Sequence, residues 1–299
     1  MAEWLKRSVV ATWLRATGRP RRNRERYWQN SHGLRLLTAH AGGAAQRERL
    51  YCIVEWCGEH FDLAEPGDVD DLVAGRFQAG QRDKILFTFD DGHERFYPVA
   101  EWLARKGIKA TFFVIPCYIG RTVRQFMQYH QDNGVEAYNI SQVRSHDQVR
   151  GLSRSEIAEM VSMGHRIAAH NFAHRDLGTL HQEEDLEYEI GRAIDMLSTI
   201  LESECQDFAW AFGNIKHISE EATHYLQRHC PRVYASIRGL NVGGLSPAFL
   251  LRDGVNLDFP PVFSKLCLEG GADDRWEAER EELQRRVGCM PQSQQSPTT

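Results

Sequence analysis

Two short clusters in the 299-residue chain carry residue types that could do hydrolytic chemistry. The first is Thr88-Phe89-Asp90-Asp91-Gly92, and the second is His170-Asn171-Phe172-Ala173-His174. Two adjacent carboxylates at the end of an apolar run are costly to bury unless something uses them. One could bind a metal while the other stays free as a base. Neighbouring side chains on a strand point opposite ways, but a turn at Gly92 can bring both toward one pocket. Histidines at i and i+4 meet on one face if the segment turns helically, which suits a shared divalent ion. Two histidines and one aspartate then leave positions open for water and substrate. Each cluster alone has a plainer reading, as a D-D-G turn whose acids cap amides or as a solvated histidine pair. Finding both at strand ends in one α/β chain makes coincidence a much weaker explanation.

The elements that must position these residues follow from periodicity. Leu34–Ala39 reads as a strand, and so does Ile85–Phe89, a short apolar run stopped by the turn at Gly92. Helical spacing of Val99, Trp102 and Leu103 ends at Gly107, and Ala110–Ile115 is the next strand. Ser153 and Glu156 form a capping box for a helix facing inward with Ile157, Met160 and Val161. Arg166–Ala169 is a strand that delivers His170. A longer helix carries Leu186, Ile190, Ile194, Leu197 and Leu201 on one stripe, and Phe208–Trp210 and Val233–Ser236 are further strands. Alternation of this kind predicts an α/β fold, a parallel sheet with helices outside, open or closed into a barrel. In such folds the chemistry sits at the C-terminal ends of the strands.

Bulk composition narrows the partners. Hydrophobic residues make up 42% and charged residues 26%, ordinary values for a globular protein. The net charge of −5 does not favour nucleic acid. Seven cysteines, an odd number without a C-x-x-C pair, argue against a disulfide framework or a cysteine zinc site. Without a long apolar run or the apolar core of a signal peptide, the expected location is cytoplasmic, with peripheral contact to the inner membrane surface as a further option. Residues 1–30 form a basic, tryptophan-bearing extension. Within it, residues 1–28 read as an interfacial helix making weak membrane-surface contact, or as an ordinary packed helix followed by a solvated loop. Residues 31–270 form the main domain, with a polar insertion at 117–150 that suits a lid or a peripheral loop. Residues 271–299 form a charged helix and a tail, PQSQQSPTT, expected to be disordered.

The succession TFDDG, ATFFV and GHRIAAHNFAHRDL (residues 164–177) resembles the polysaccharide deacetylase family with the NodB homology domain, carbohydrate esterase family 4. FAWAFGN, residues 208–214, is similar to its third motif. The resemblance spans residues 34–265 and implies a deformed (β/α) barrel. It implies that Asp90 is the general base, that Asp91, His170 and His174 bind a divalent metal, and that the Phe212 backbone N–H stabilises the oxyanion, with Gly213 beside it in the same substrate-binding motif. Zinc suits such a set, as do cobalt, nickel, iron and manganese. The implied reaction is removal of acetyl from an N-acetylated amino sugar. The substrate would be a nucleotide sugar, a lipid-linked sugar or another amino-sugar conjugate. The same chemistry would serve a deformylase or another linear-amide hydrolase, and a decayed site would leave a non-catalytic sugar-binding relative.

Two features depart from the family pattern. No histidine follows His229, so the usual C-terminal acid is missing, and Ala209 stands where the third motif usually has arginine. Leu34–His40 instead resembles the opening strand, often ending in Tyr-His, of the subgroup related to poly-N-acetylglucosamine deacetylases. In a closed barrel the first and last strands are neighbours, so His40 can supply the acid from the front of the chain, with His93 as the alternative. Arg252 is the candidate for orienting Asp90.

Overall fold

The computed structural model describes residues 2–40, 43–134, 149–243 and 249–288. Among these residues, eight parallel strands build the sheet: β1 (Leu34–Ala39), β2 (Asp62–Leu63), β3 (Lys84–Phe89), β4 (Ala110–Val114), β5 (Arg166–Ala169), β6 (Asp207–Ala209), β7 (Arg232–Tyr234) and β8 (Asp253–Val255). Their spatial order is β7-β6-β5-β4-β3-β1-β8, with β2 beside β3. The sheet curls until its ends meet: the Leu250 N–H donates to Val233, the Ala235 N–H to Leu250, and the Arg252 N–H to Ile237. The result is a deformed (β/α) barrel.

Strand alternation divides the side chains between two apolar layers. Leu34, Leu36, Leu86, Phe113, Ala168, Ala209, Tyr234 and Leu250 pack together inside the curl. Leu37, Ala39, Ile85, Phe87, Phe89, Phe112 and Val114 pack with the surrounding helices. Continuing the inward series by two places leads from Leu86 and Thr88 to Asp90, and from Ala168 to His170. The period of two thus carries both chemical clusters to the same mouth of the barrel.

Several sequence expectations need correction. The stripe from Leu186 to Leu201 is not one regular helix, because a π-helical turn at Glu187–Gly191 separates Glu183–Leu186 from Arg192–Leu201. Val161 is exposed, not inward with Ile157 and Met160. Arg19–Trp28 is a helix, not a solvated loop. Three of its five arginines meet acids: Arg19 pairs with Asp274, Arg24 with Asp83 and Arg26 with Glu277. β8 carried no sequence signal, since Asp253-Gly254-Val255 is too short and polar to show alternation. A 3-10 turn, Pro116–Tyr118, leads into the 117–150 segment, which contains a helix, Val123–Asp132. Residues 135–148 of that segment and the tail at 291–299 lie outside the described residues.

Candidate active site

Asp90 lies just beyond β3 and is buried. Arg252 grips it with a two-pronged ion pair, Nη1 to Oδ1 at 2.6 Å and Nη2 to Oδ2 at 3.0 Å. Arg252 is fully buried behind the carboxylate, so it acts on Asp90 rather than on a ligand in the mouth. Its Nε–H donates to the Ala235 carbonyl and its Nη2–H to the Ser236 hydroxyl. Ser236 is in turn wedged against Gly213, where a Cβ would come within 2.4 Å of the Ser236 Oγ. Burial alone would push the Asp90 carboxyl up, but Arg252, His170 and His40 outweigh it and hold it below the usual carboxylate range.

Asp91 turns away from Asp90 on a left-handed backbone, φ 76°, and Gly92 follows at φ 65°. Its Oδ1 lies 3.4 Å from His170 Nε2 and 3.5 Å from His174 Nε2. Asp91, His170 and His174 form a candidate cation site whose ligating atoms all lie within 4.8 Å of one another. The two histidines do not meet on a helix, as spacing alone suggested. They meet through a loop in which Asn171 and His174 both have positive φ, 47° and 60°. Such backbone costs on the order of 1–3 kcal/mol per residue and persists only where the surroundings hold it.

The donor set fits a divalent cation. His170 Nδ1–H donates to the Ala209 carbonyl at 2.7 Å, which leaves Nε2 with its lone pair facing Asp91 in the neutral ring. A lone pair opposite a carboxylate is electrostatically poor unless a cation lies between them. Edges of about 3.4 Å are those of a tetrahedron whose ligand bonds are about 2.0–2.1 Å. Burial raises the Asp91 carboxyl, but its histidine contacts reverse this and hold it well below the usual range. Burial lowers both rings; Asp91 and Asp90 turn His170 upward overall, whereas His174 stays lowered.

His40, at the end of β1, stands over the mouth with Nε2 3.9 Å from Asp91 Oδ2 and a side chain 54% exposed. Phe212 has φ 64°, and its ring lies edge-on to His174 with centroids 4.8 Å apart. His93 is buried. Its Nδ1 accepts from the Arg95 N–H, and burial with Arg95 nearby pushes it down to about 4, so it is a poor proton donor at neutral pH.

Sequence reasoning missed the groups that hold the His174 loop. Asn171 Nδ2–H donates to the Arg175 carbonyl, and its Oδ1 accepts from the Ala211 N–H, tying the second motif to the third. Glu189, fully buried in the π-helical turn, accepts through Oε2 from the Ala173 and Arg175 N–H groups on either side of His174. His130 Nε2 lies 2.7 Å from the Ala173 carbonyl. The available signal for Glu189 was an acid on the apolar stripe, three residues after Leu186.

Burial lifts the Glu189 carboxyl to about 7. A carboxyl whose folded pKa exceeds its unfolded one stabilises most below about 4.5, and that stabilisation is lost as pH rises through about 7. Glu189→Gln removes the titration. The metal-free variant should therefore gain on wild type between pH 5 and pH 8, by on the order of 3 kcal/mol. Urea denaturation at the two pH values tests this; an equal difference at both would show that Glu189 does not titrate there.

A polysaccharide deacetylase family model matches residues 78–230, just over half of the chain. Among curated proteins nothing matches the chain. Among solved structures, IcaB from Ammonifex degensii is 20% identical, with a TM-score of 0.61 over 81% of this chain and 98% of that one. The Streptococcus pyogenes deacetylase PplD, solved in complex with acetate, is 15% identical, with a TM-score of 0.57 over 79% of this chain and 97% of that one. A de-N-acetylase from Aggregatibacter actinomycetemcomitans is 12% identical, with a TM-score of 0.58 over 77% and 96%. At these identities the likeness is one of fold. With the family match spanning both chemical clusters, the chain belongs to the polysaccharide deacetylase family and is a hydrolase of amide bonds.

Proposed function

We propose that this chain removes acetyl from an N-acetylated amino sugar or its conjugate, with a divalent ion held by Asp91, His170 and His174. The observation that carries the reading is the Asp90–Arg252 pair beside that cluster: one acid is kept ionised and oriented while its neighbour faces two histidines. When bound, such an ion supplies Lewis acidity, lowering the pKa of water toward about 7 and polarising a carbonyl. Zinc is the metal proposed, since two imidazoles and a carboxylate suit its tetrahedral preference. Cobalt, nickel, iron and manganese are the alternatives.

The residues would act as follows. Asp90 takes the proton from the attacking water as its oxygen bonds to the acetyl carbon. The Phe212 N–H, on a left-handed backbone beside Gly213, donates to the developing oxyanion. His40, as the imidazolium, gives a proton to the sugar nitrogen as the C–N bond breaks. Acetate and the free amine leave, and solvent returns both groups to their starting protonation.

Support for His40 is its place over the mouth and its reach to Asp91. His40→Asn should lower kcat/KM by about 10²-fold or more while leaving metal content unchanged. Activity within a few-fold of wild type would remove His40 from the role. The reaction itself is tested by elemental analysis, followed by acetate release from a panel of N-acetylated nucleotide sugars, lipid-linked sugars and glycosides. Formate release from N-formyl analogues in place of acetate would redirect the reading to a deformylase. Six cysteines are free among the described residues, which supports a reducing, cytoplasmic setting for the nucleotide- or lipid-linked substrates.

A further inference from the structure

Seven large apolar side chains are exposed among the described residues, and five of them, Trp4, Leu5, Val9, Val10 and Trp13, lie on the first helix, Ala2–Ala16. This helix has two apolar faces. Ala11 and Leu14 pack on Val262, Phe263 and Leu266 of the helix Pro261–Leu268. Leu5, Val9 and Trp13, spaced i, i+4, i+8, form the opposite stripe, each about 60% exposed. A helix packed on its own domain needs only the first face, so the second calls for an occupant.

We propose that this stripe docks the enzyme on a bilayer surface rich in anionic lipid headgroups. Charge is the first argument. Residues 1–28 hold eight Lys and Arg against two Glu, in a chain of net charge −5. Several of these cations are drawn inward, as with Arg15 on Glu269 and Arg24 on Asp83. Lys6 on the same helix and Arg21 and Arg22 on the next are exposed and meet no acid among the described residues. A stripe with tryptophan, aliphatic residues and nearby cations matches an interfacial helix, and among the described residues no helix is long and apolar enough to cross a membrane.

Area and symmetry weigh against a second copy of the chain as the occupant. Three or four side chains on one helix offer far less than the roughly 800 Å² per partner of a stable interface. A two-fold pair of these helices would also bring the same cations together. Orientation adds a consequence. The Arg7 guanidinium stacks on Phe259 at 3.8 Å, in the segment that follows β8, while Arg15 reaches Glu269 at the far end of Pro261–Leu268. The start of the docking helix, with Trp4 and Leu5, therefore lies on the side of the barrel where Asp90 and His170 emerge.

The proposal does not depend on the deacetylase reading, and its test does not use catalysis. The full chain is floated with vesicles of phosphatidylcholine alone or mixed equally with phosphatidylglycerol. The expected result is co-flotation with the mixed vesicles only, reduced at least about tenfold by Val9→Glu with Trp13→Glu, since two carboxylates break the apolar stripe and are repelled by anionic headgroups. Both positions are exposed, so an unchanged thermal melt shows that the variant is folded. His174→Asn should float like wild type. The proposal is overturned if wild type fails to float, if the double variant floats equally well, or if sedimentation shows a dimer that the double variant dissociates while neither form binds vesicles.

Discussion

His174→Asn should release no measurable acetate and should retain metal only at background level. The stripped protein, reloaded with one equivalent of zinc, should recover at least about 10³-fold less activity than reloaded wild type. His174 sits at φ 60°, where Asn is better tolerated than Ala, so the substitution removes the proposed ligand without adding backbone strain. The neighbours that fix the loop, Asn171 and Glu189, bond to backbone groups and do not depend on the imidazole. What is lost is one of three convergent atoms. Asp91 Oδ1 and His170 Nε2, 3.4 Å apart, remain as a pair that cannot enclose an ion. Two readings are therefore needed, metal stoichiometry by elemental analysis and acetate release. A variant that keeps wild-type stoichiometry and rate would sink the assignment of the cluster as the metal site. A variant that keeps the metal but loses the rate would move His174 from holding the ion to another role.

How far this site was legible in the sequence depends on what each residue answers to. Asp90, Asp91, His170 and His174 follow strands long enough to show their apolar pattern, and period-two alternation then fixes where Asp90 and His170 point. His40 follows a strand whose six residues are all buried, and β1 lies between β3 and β8, so the chain's first and last strands are neighbours. Local pattern could not supply the support beneath these residues. Glu189 reaches the His174 loop only because the π-helical turn shifts its register, and regular helical spacing does not predict that turn. The closing strand β8 is three residues long, and its aspartate is buried only because Arg35 and Arg238 come from elsewhere in the chain to meet it. Likewise, the arginines of Arg19–Trp28 read as a solvated loop until their acids, more than two hundred residues away for Asp274 and Glu277, are in view.

Arg252→Met should be the more informative of the large effects, because it changes the behaviour of Asp90 without touching it. Methionine keeps an unbranched, apolar stem of similar reach and removes the charge and the fork. In wild type the guanidinium meets both Asp90 oxygens, at 2.6 and 3.0 Å, and neither partner has appreciable exposure. Removing one member of such a pair leaves a buried carboxylate with no compensating cation, which costs about 3–5 kcal/mol of stability. The carboxyl can relieve that cost by taking a proton. Burial already pushes it up, and Arg252 is the strongest of the influences that hold it down. The sign follows: in the variant Asp90 should protonate at higher pH, so the acid limb of kcat/KM should move toward neutrality. At the wild-type optimum kcat should fall by about 10²-fold or more, through misorientation as well as protonation. Arg252→Lys should recover part of the pH shift but little of kcat, since an ammonium restores charge and cannot restore the fork. Combining Arg252→Met with Asp90→Asn should add almost nothing to the loss from Asp90→Asn alone, because the arginine acts through that carboxylate. If Arg252→Met instead lowers activity at an unmoved acid limb, and further lowers it in the Asp90→Asn background, the arginine supports the barrel wall rather than the base, and Asp90 must be poised by the histidines alone.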